Sequence, residues 1–421
     1  MALFHSPKTS TDGLVFMYDT GNKKSYVGEP TTNFVTNPDF STGDLTGWSS
    51  TSTSNSDVEI TEVSSENGYN YFHKKANKTA NGGQDRLVES STYNIDTSKQ
   101  LTVSIDIWIN PSNDYSITFY GRGTTADDTT FDEKPLQNNG STTSTVDLGG
   151  GWVRYIYTLQ TDWYTGSGNT FLVAVYPDYG GRGLMEYKVR QVQVEQKPHA
   201  TPFVNGTRSA TQGLIDRTGN STIDLSNTSF DSNAQMTFDG TDDYVTLGSD
   251  SILQDIGSFA TIECWFKSSS LVGSKFAIMV GWGDGTSYYS NFGIGNWFSA
   301  WSDESIYVGI NSAAVVYAER DGSAKYHDGN WHHAVALMGY NNHKIYVDGS
   351  EVSVSFSYGS NSVSTSKLFG FSSGTEVYIG LRPYGNGHFQ GELPVVKIYN
   401  RLLSDDEILQ NYNTTKSRFG L

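Results

Sequence analysis

Cysteine is almost absent from this chain: Cys264 is the single one in 421 residues. That excludes an intrachain disulfide framework and any multi-cysteine metal site. Cys264 lies in TIECWF, which alternates like a strand, and reads as a buried small hydrophobe rather than a nucleophile. No run of about 18 or more apolar residues exists, so no membrane span is expected. The opening MALFHSPKTS has no apolar signal-peptide core. The expectation is a protein not secreted by the usual route, or one released by another route such as lysis. Positive charge is scarce, with 28 Lys and Arg against 45 Asp and Glu and a net charge of −17. Nucleic-acid binding needs a basic footprint and is therefore disfavoured. The acidity fits a soluble extracellular or particle-surface protein. Gly-x-Ser-x-Gly elbows, His-Glu-x-x-His helices and Walker loops are all missing.

What is abundant is turn and strand chemistry. The chain carries 44 Gly, 26 Tyr and 21 Phe, with much Ser, Thr and Asn and few helix formers. That composition favours an all-β architecture with many turns. Leu14, Phe16 and Tyr18 alternate with Val15, Met17 and Asp19, as a strand does. Further strands are read at 101–110, 116–123, 152–159, 170–177 and 187–195. A second series follows at 260–269, 275–283, 305–310, 331–339, 343–352, 376–383 and 395–401. Gly, Asn, Asp and Ser clusters separate them, and Asp348-Gly349 is a hairpin signal. One helix is expected, at 403–409. Ser404 and Glu407 form a capping box there, and its first turn is acidic.

Particular segments carry a family resemblance. Residues 13–32, GLVFMYDTGNKKSYVGEPTT, resemble the first strand and turn of a laminin-G/pentraxin-like (concanavalin A-like) lectin sandwich of tailed-phage virion proteins. In that family the next elements follow at once. Here they appear only at Gly213–Asn220 (GLIDRTGN) and Phe238–Val245 (FDGTDDYV). Between them, TNFVTNPDFSTGDLTGWS (32–49) resembles the opening of a carbohydrate-binding-module jelly roll. EQKPHATPFVNGTRS (195–209) resembles a recurring phage exit sequence. Trp331-His332-His333 and Tyr346-Val347-Asp348-Gly349 resemble lectin-sandwich signatures, and the tail NYNTTKSRFGL resembles phage structural endings. The resemblance implies two β-sandwich (jelly-roll) domains, one inserted into the other, with a short C-terminal helix. The outer lectin-like domain would comprise 1–32 and 203–421, and the inserted jelly roll 33–202. Insertion at an exposed turn is tolerated because domain termini often lie close together.

Candidate chemistry is sparse. Lectin-fold glucanases place carboxylates as Glu-x-Asp-x-Glu on one strand face. The nearest match, Glu319-Arg320-Asp321-Gly322-Ser323, lacks the third carboxylate and reads as a solvated loop. His332 and His333 are adjacent in one strand and point to opposite faces, so both read as structural. No enzymatic activity is expected. Sugar binding needs flat aromatic faces beside polar groups. In strand 101–110, Leu101, Val103, Ile105, Ile107 and Ile109 fill one face. Thr102, Ser104, Asp106 and Trp108 occupy the other, so Trp108 and Asp106 stand together on a polar face. Tyr120 is expected beside Trp108. Trp163 and Tyr164 form a second aromatic pair. Trp282, Tyr288, Tyr289, Trp297 and Trp301 in 281–305 form either a groove or a self-packed hairpin. Each group marks either a glycan site or a packing interface. Trp48 and Trp152 are assigned to packing.

Related jelly rolls hold a structural calcium through an Asp in the closing strand. Arg190 stands at that place here and cannot ligate calcium. No cofactor is therefore expected, and Arg190 is expected to pair with Asp39 instead. Asp239, Asp242 and Asp243 read as a turn. The resemblance implies a phage virion surface appendage (head decoration, collar or tail fibre), made in the host cytoplasm, that binds host or environmental glycans. Its implied partners are other virion proteins, copies of itself in a homo-oligomer, and host surface glycans. Two other readings stay open: a decoration or cement protein that makes only protein–protein contacts, and, less favoured, a polysaccharide depolymerase.

Overall fold

The computed structural model describes residues 8–52, 56–79, 85–90, 92–113, 117–124, 131–136, 141–161, 170–177, 183–248, 251–254, 256–269, 276–283, 288–295, 306–310, 314–318, 326–339, 342–358, 375–382 and 387–421. The protein is all-β, built of sandwiches with one short C-terminal helix. Every strand pairing described below is antiparallel. The chain divides into two compact units. One comprises Met1–Pro30, Ser209–Asp231 and Gln235–Leu421; the other comprises Thr31–Arg208 with Ser232–Ala234.

In the first unit an 8-stranded sheet faces a 7-stranded one. The strand Leu14–Asp19 pairs with Gln390–Tyr399, near the other end of the chain. Gln390–Tyr399 in turn pairs with Ala260–Lys267, and that strand with Trp331–Gly339. Phe16, Ile262, Cys264, Ala334 and Val396 from this sheet meet Val280, Trp282, Phe292 and Val377 from the other in one apolar core. Cys264 is buried there as a small hydrophobe. Asp348 and Gly349, both at positive φ (50° and 81°), close the hairpin Asn342–Val347/Ser350–Val352. The helix runs Asp405–Thr415, capped by Ser404, whose side chain accepts from the Glu407 amide while Glu407 reaches back.

The second unit has two 6-stranded sheets. One has the order Thr142–Gly149, Trp152–Leu159, Leu101–Ile109, Gly183–Glu195, Tyr69–Lys78, Ser56–Glu66. The other contains Phe131–Pro135, Ile117–Thr124, Thr170–Pro177, Leu87–Glu89 and Trp48–Ser50, with Tyr93–Asn94 beside Thr170–Pro177. Val103, Ile105 and Ile107 of the first sheet pack against Phe171, Val173 and Val175 of the second. Trp48 is buried with Phe40, their rings 5.6 Å apart, so its packing role holds.

Two features of the first of these sheets position its outer face. Gln191 has φ +48° and sits in a bulge where the pairing slips between Arg190 and Gln193. A bulge inverts the in–out alternation beyond it. Met185, Tyr187 and Val189 face the core before it and Val192 and Val194 after it, so Arg190 is turned outward. The second feature is the pair of tight turns at Asn67-Gly68 and Gly150-Gly151, all at positive φ. They end the outermost hairpins Ser56–Glu66/Tyr69–Lys78 and Thr142–Gly149/Trp152–Leu159.

Candidate functional site

The outer face of the Thr142-to-Glu66 sheet carries an aromatic and cationic cluster. Strand alternation sends Trp108 and Asp106 to this face, opposite the core residues Val103, Ile105 and Ile107. Register then sets their neighbours: Trp152 stands directly across from Trp108, Arg154 from Asp106, and on the other side Lys188 and Arg190 pair with the same two residues.

Asp106 is fully desolvated, its side chain 1% exposed. Arg154 grips it with Nε to Oδ1 at 2.6 Å and Nη2 to Oδ2 at 3.2 Å, and also donates to Gln191 Oε1 at 3.2 Å. The Arg190 Nε lies 3.6 Å from Asp106 Oδ2, an ion-pair contact longer than a hydrogen bond. The Arg190 guanidinium is held against the rings of Tyr69 and Trp152, 4.1 Å from each centroid. One step along the strand, the Lys188 ammonium sits 5.0 Å from the ring centroids of both Tyr71 and Trp108. Tyr71 and Trp152 meet edge to face at 6.0 Å. Two cation–aromatic clusters therefore stand side by side, each favourable through the ring quadrupole.

Glu186 on the same face is already satisfied. It accepts from Asn110 Nδ2 at 2.7 Å and contacts His73 Nε2 at 2.9 Å. Burial opposes its charge, yet these hydrogen bonds and the neighbouring His73 and Lys75 hold its carboxyl below the usual range. Between the two turn ends lies an open groove of about 290 Å³, lined by Asn67, Tyr69, Tyr71, Gly150, Trp152 and Arg190 among others. Its size is near the lower end of ligand pockets, which span roughly 300–1,000 Å³. Gly151 sits so close to the indole that a Cβ there would meet Trp108 Nε1 at 2.8 Å.

The structure sorts the sequence candidates. Trp108 lies on the outer face, partly exposed. Asp106 is beside it but buried, so it holds the two arginines rather than meeting a ligand. Tyr120 is not beside Trp108: it belongs to the other sheet, where it packs edge to face on Tyr176 at 4.7 Å. Trp282 is 1% exposed in the first unit's core and donates from Nε1 to the Leu253 carbonyl at 3.0 Å, so it lines no groove. Tyr288 and Tyr289 begin the strand Tyr288–Gly295, but their side chains lie outside the described residues, as do Trp163, Tyr164, Trp297 and Trp301 and the Glu319–Ser323 stretch.

Two expectations are corrected. Trp152 is not a core residue but partly exposed on the groove. Arg190 does not pair with Asp39: it alternates with the core-facing Met185, Tyr187 and Val189 and so stands on the outer face, just ahead of the Gln191 bulge. Asp39 accepts instead from Asn205 Nδ2 at 3.2 and 3.3 Å and from the Ser41 amide at 3.1 Å. Tyr69 and Tyr71 are absent from the sequence reading. The Asn67-Gly68 hairpin signal between two strand-length runs is what points to them.

Two other polar clusters among the described residues are hydrogen-bonded or ion-paired within the fold. The Asp239, Asp242 and Asp243 carboxylates lie within 4.8 Å of one another. Asp243 accepts from the Ser229 and Asp239 amides at 2.9 and 2.8 Å, and Asp239 from the Thr241 amide at 2.7 Å, which makes the group a hydrogen-bonded turn. His332 and His333 do take opposite sides. His332 contacts Asp348 and Asp328 at 3.0 and 3.3 Å, whereas His333 is buried 3.1 Å from Glu263.

Among known proteins, residues 239–409 match the family described as the concanavalin A-like lectin/glucanases superfamily. No curated protein matches the chain. Solved structures similar to it include a carbohydrate-binding module of the beta-sandwich superfamily, with 16% identity, TM-score 0.27, and 39% of this chain matched to 62% of that one. Domain 4 of the extracellular arabinanase AbnA from Geobacillus stearothermophilus shows 13% identity and TM-score 0.34 over 48% of this chain and 93% of that domain. Trypanosoma rangeli sialidase shows 12% identity and TM-score 0.36 over 86% of this chain and 63% of the enzyme. The chain thus spans less than two thirds of the length of the first and third of these.

Proposed function

We propose that this protein is a non-enzymatic glycan-binding protein whose site is the outer face of the Thr142-to-Glu66 sheet. One observation carries the reading: Tyr69, Tyr71, Trp152 and Arg190 line one groove between two turn ends, and Lys188 and Trp108 stand beside Tyr71 on the same sheet face. Aromatic faces accept the C–H faces of pyranose rings, and fixed cations and amides orient hydroxyls and acidic groups. The lectin/glucanase match over 239–409 supports a carbohydrate context for the chain. The phage-like segments 13–32 and 195–209 support its place as an appendage on the surface of a tailed-phage particle, displayed in several copies toward host glycans. Multiple copies would raise a weak single-site affinity through avidity.

Binding of the purified protein to a panel of bacterial surface polysaccharides tests this directly. Saturable binding is expected, and Trp152→Ala should weaken it by about tenfold or more, since stacking of this kind is worth roughly 1–2 kcal/mol. A folded Trp152→Ala protein that binds as the wild type does would remove the groove from the function. A wild-type protein that binds no glycan at all would favour the cement reading, with protein–protein contacts only.

A further inference from the structure

The groove holds Arg190, with Lys188 close by on the same sheet face, in a protein whose net charge is −17, and the Arg190 cation is left incompletely satisfied. We infer that the site selects saccharides bearing a carboxylate, such as uronic or sialic acid residues, and that Arg190 is the carboxylate's partner. This rests on the glycan-binding reading above and narrows its ligand class.

Three observations support it. First, the Arg190 side chain is only 12% exposed, yet among the described residues none of its nitrogens makes a hydrogen bond. Its one polar contact is Asp106 at 3.6 Å. A largely desolvated guanidinium with unused donors is costly, and an arriving anion would offset that cost. Second, the guanidinium carbon lies 4.1 Å from the ring centroids of both Tyr69 and Trp152, so aromatic surface takes up its neighbourhood without using an N–H donor. What stays available is the in-plane fork of N–H groups, the edge that matches a planar carboxylate with two parallel hydrogen bonds. Contact with the two rings also restricts the guanidinium's motion before the ligand arrives. Third, the local carboxylates are spent. Asp106 is taken by two hydrogen bonds from Arg154, and Glu186 is held by Asn110 and His73. Glu66, the one carboxylate lining the groove, is exposed at its turn, where water screens it. Lys188, between Tyr71 and Trp108, makes no ion pair among the described residues and adds a second positive charge.

The test uses the full-length protein with polygalacturonate, alginate and polysialic acid. Each is compared by calorimetry with its own carboxyl-reduced, neutral form, beside neutral glucans and dextran sulfate. At least one acidic polymer should bind about tenfold or more tighter than its reduced form, with the preference fading as salt is raised. Arg190→Gln and Arg190→Lys should abolish that preference without abolishing residual binding of the neutral form. Equal binding of acidic and reduced polymers, or of neutral glucans alone, would overturn carboxylate selection while leaving glycan binding intact. Dextran sulfate binding as tightly as the best carboxylated polymer would overturn it in favour of general anion attraction. Absence of binding to every polymer would sink the glycan reading itself, and this inference with it. The wild-type comparison decides the matter even if the Arg190 variants do not fold.

Discussion

Glu89 shows how much a single buried residue sets. Its carboxyl is 4% exposed between the sheets of the second unit, accepting from the Val173 amide at 2.7 Å and the Tyr93 hydroxyl at 3.2 Å. Burial outweighs these two bonds and pushes its pKa up to about 8. The folded protein therefore keeps a proton between about pH 4.5 and 8 that the unfolded chain has released. More protons bound in the native state means stability falls as pH rises through that window, and is level above it. Glu89→Gln keeps an oxygen to accept both bonds and removes the ionisation. Its stability relative to wild type should grow from pH 5 to pH 8, by on the order of a few kcal/mol. Denaturant melts across that range would read this, and a constant difference would mean that Glu89 is already ionised at pH 5. Other residues show what alternation can and cannot tell. It placed Trp108 on the polar face because its strand has one clearly apolar side. The assignment of Trp152 to packing comes from its likeness to family core positions, and alternation could not have corrected it, because WVRYIYTL carries large apolar groups on both sides and periodicity does not say which side is inside. The expected pairing of Arg190 with Asp39 comes from the likeness to calcium-holding jelly rolls, and a family position does not say which partners the strand face offers; Gln191, at positive φ, is not a residue that advertises the bulge beside it.

At the scale of elements, the C-terminal helix is the clearest case of legible and illegible together. Its cap could be read from Ser404 and Glu407, but not what lies beneath it. Glu263, in the Ala260–Lys267 strand, is fully buried. It meets Lys397 Nζ at 2.6 Å and His333 Nε2 at 3.1 Å, and accepts from Asn411 Nδ2 of the helix at 2.6 Å. Asn411 also accepts from the Ser10 amide at 2.9 Å, so the helix ties the N-terminal segment to the sheet. Phe419, beyond the helix, stacks on Trp265 at 4.2 Å. Polar partners spread over 400 residues of sequence leave no local pattern. Asn411→Ala strips a donor from a buried carboxylate and should cost about 2–3 kcal/mol. Burial opposes the Glu263 charge, but Lys397 and His333 prevail and hold its pKa down to about 2. The ion pair's stabilisation is therefore complete above about pH 4.5 and is lost as pH falls toward 2. Acid titration followed by circular dichroism should show unfolding setting in at higher pH for Asn411→Ala than for wild type. Coincident acid midpoints would show that the helix contributes nothing to holding this charge. The hairpin Ser56–Glu66/Tyr69–Lys78 escaped the sequence reading for a related reason. Its outer strand is mostly exposed, with Val58, Ile60 and Val63 broken out of clean alternation by a bulge, and its inner one carries Lys74, fully buried and donating to Ser50 and Ser52 at 3.2 and 2.6 Å.

For the whole molecule, the decisive local geometry is a short ribbon where the segment 31–208 begins and ends. Thr31 pairs with Arg208 and Thr32 with Thr207, as a two-stranded antiparallel ribbon at the edges of the second unit. Paired residues in such a ribbon lie about 5 Å apart. The segment 31–208 therefore begins and ends at nearly one point, and a two-residue turn can span the same gap. The second unit has its own core, with Phe72, Val103, Leu159 and Val173 in one cluster, and the first unit has another. Each core is closed by its own pair of sheets, so each piece has the means to fold alone. Two proteins follow from that geometry: residues 31–208 alone, and the remainder with Pro30 joined to Ser209 through Asn-Gly. Both should melt cooperatively. Residues 31–208 should keep the glycan affinity of the whole chain to within about threefold, roughly 0.7 kcal/mol, and the remainder should bind none. A remainder that folds only when residues 31–208 are present would show that the first sandwich depends on its insertion. Affinity that stays with the remainder would move the site off the cationic groove.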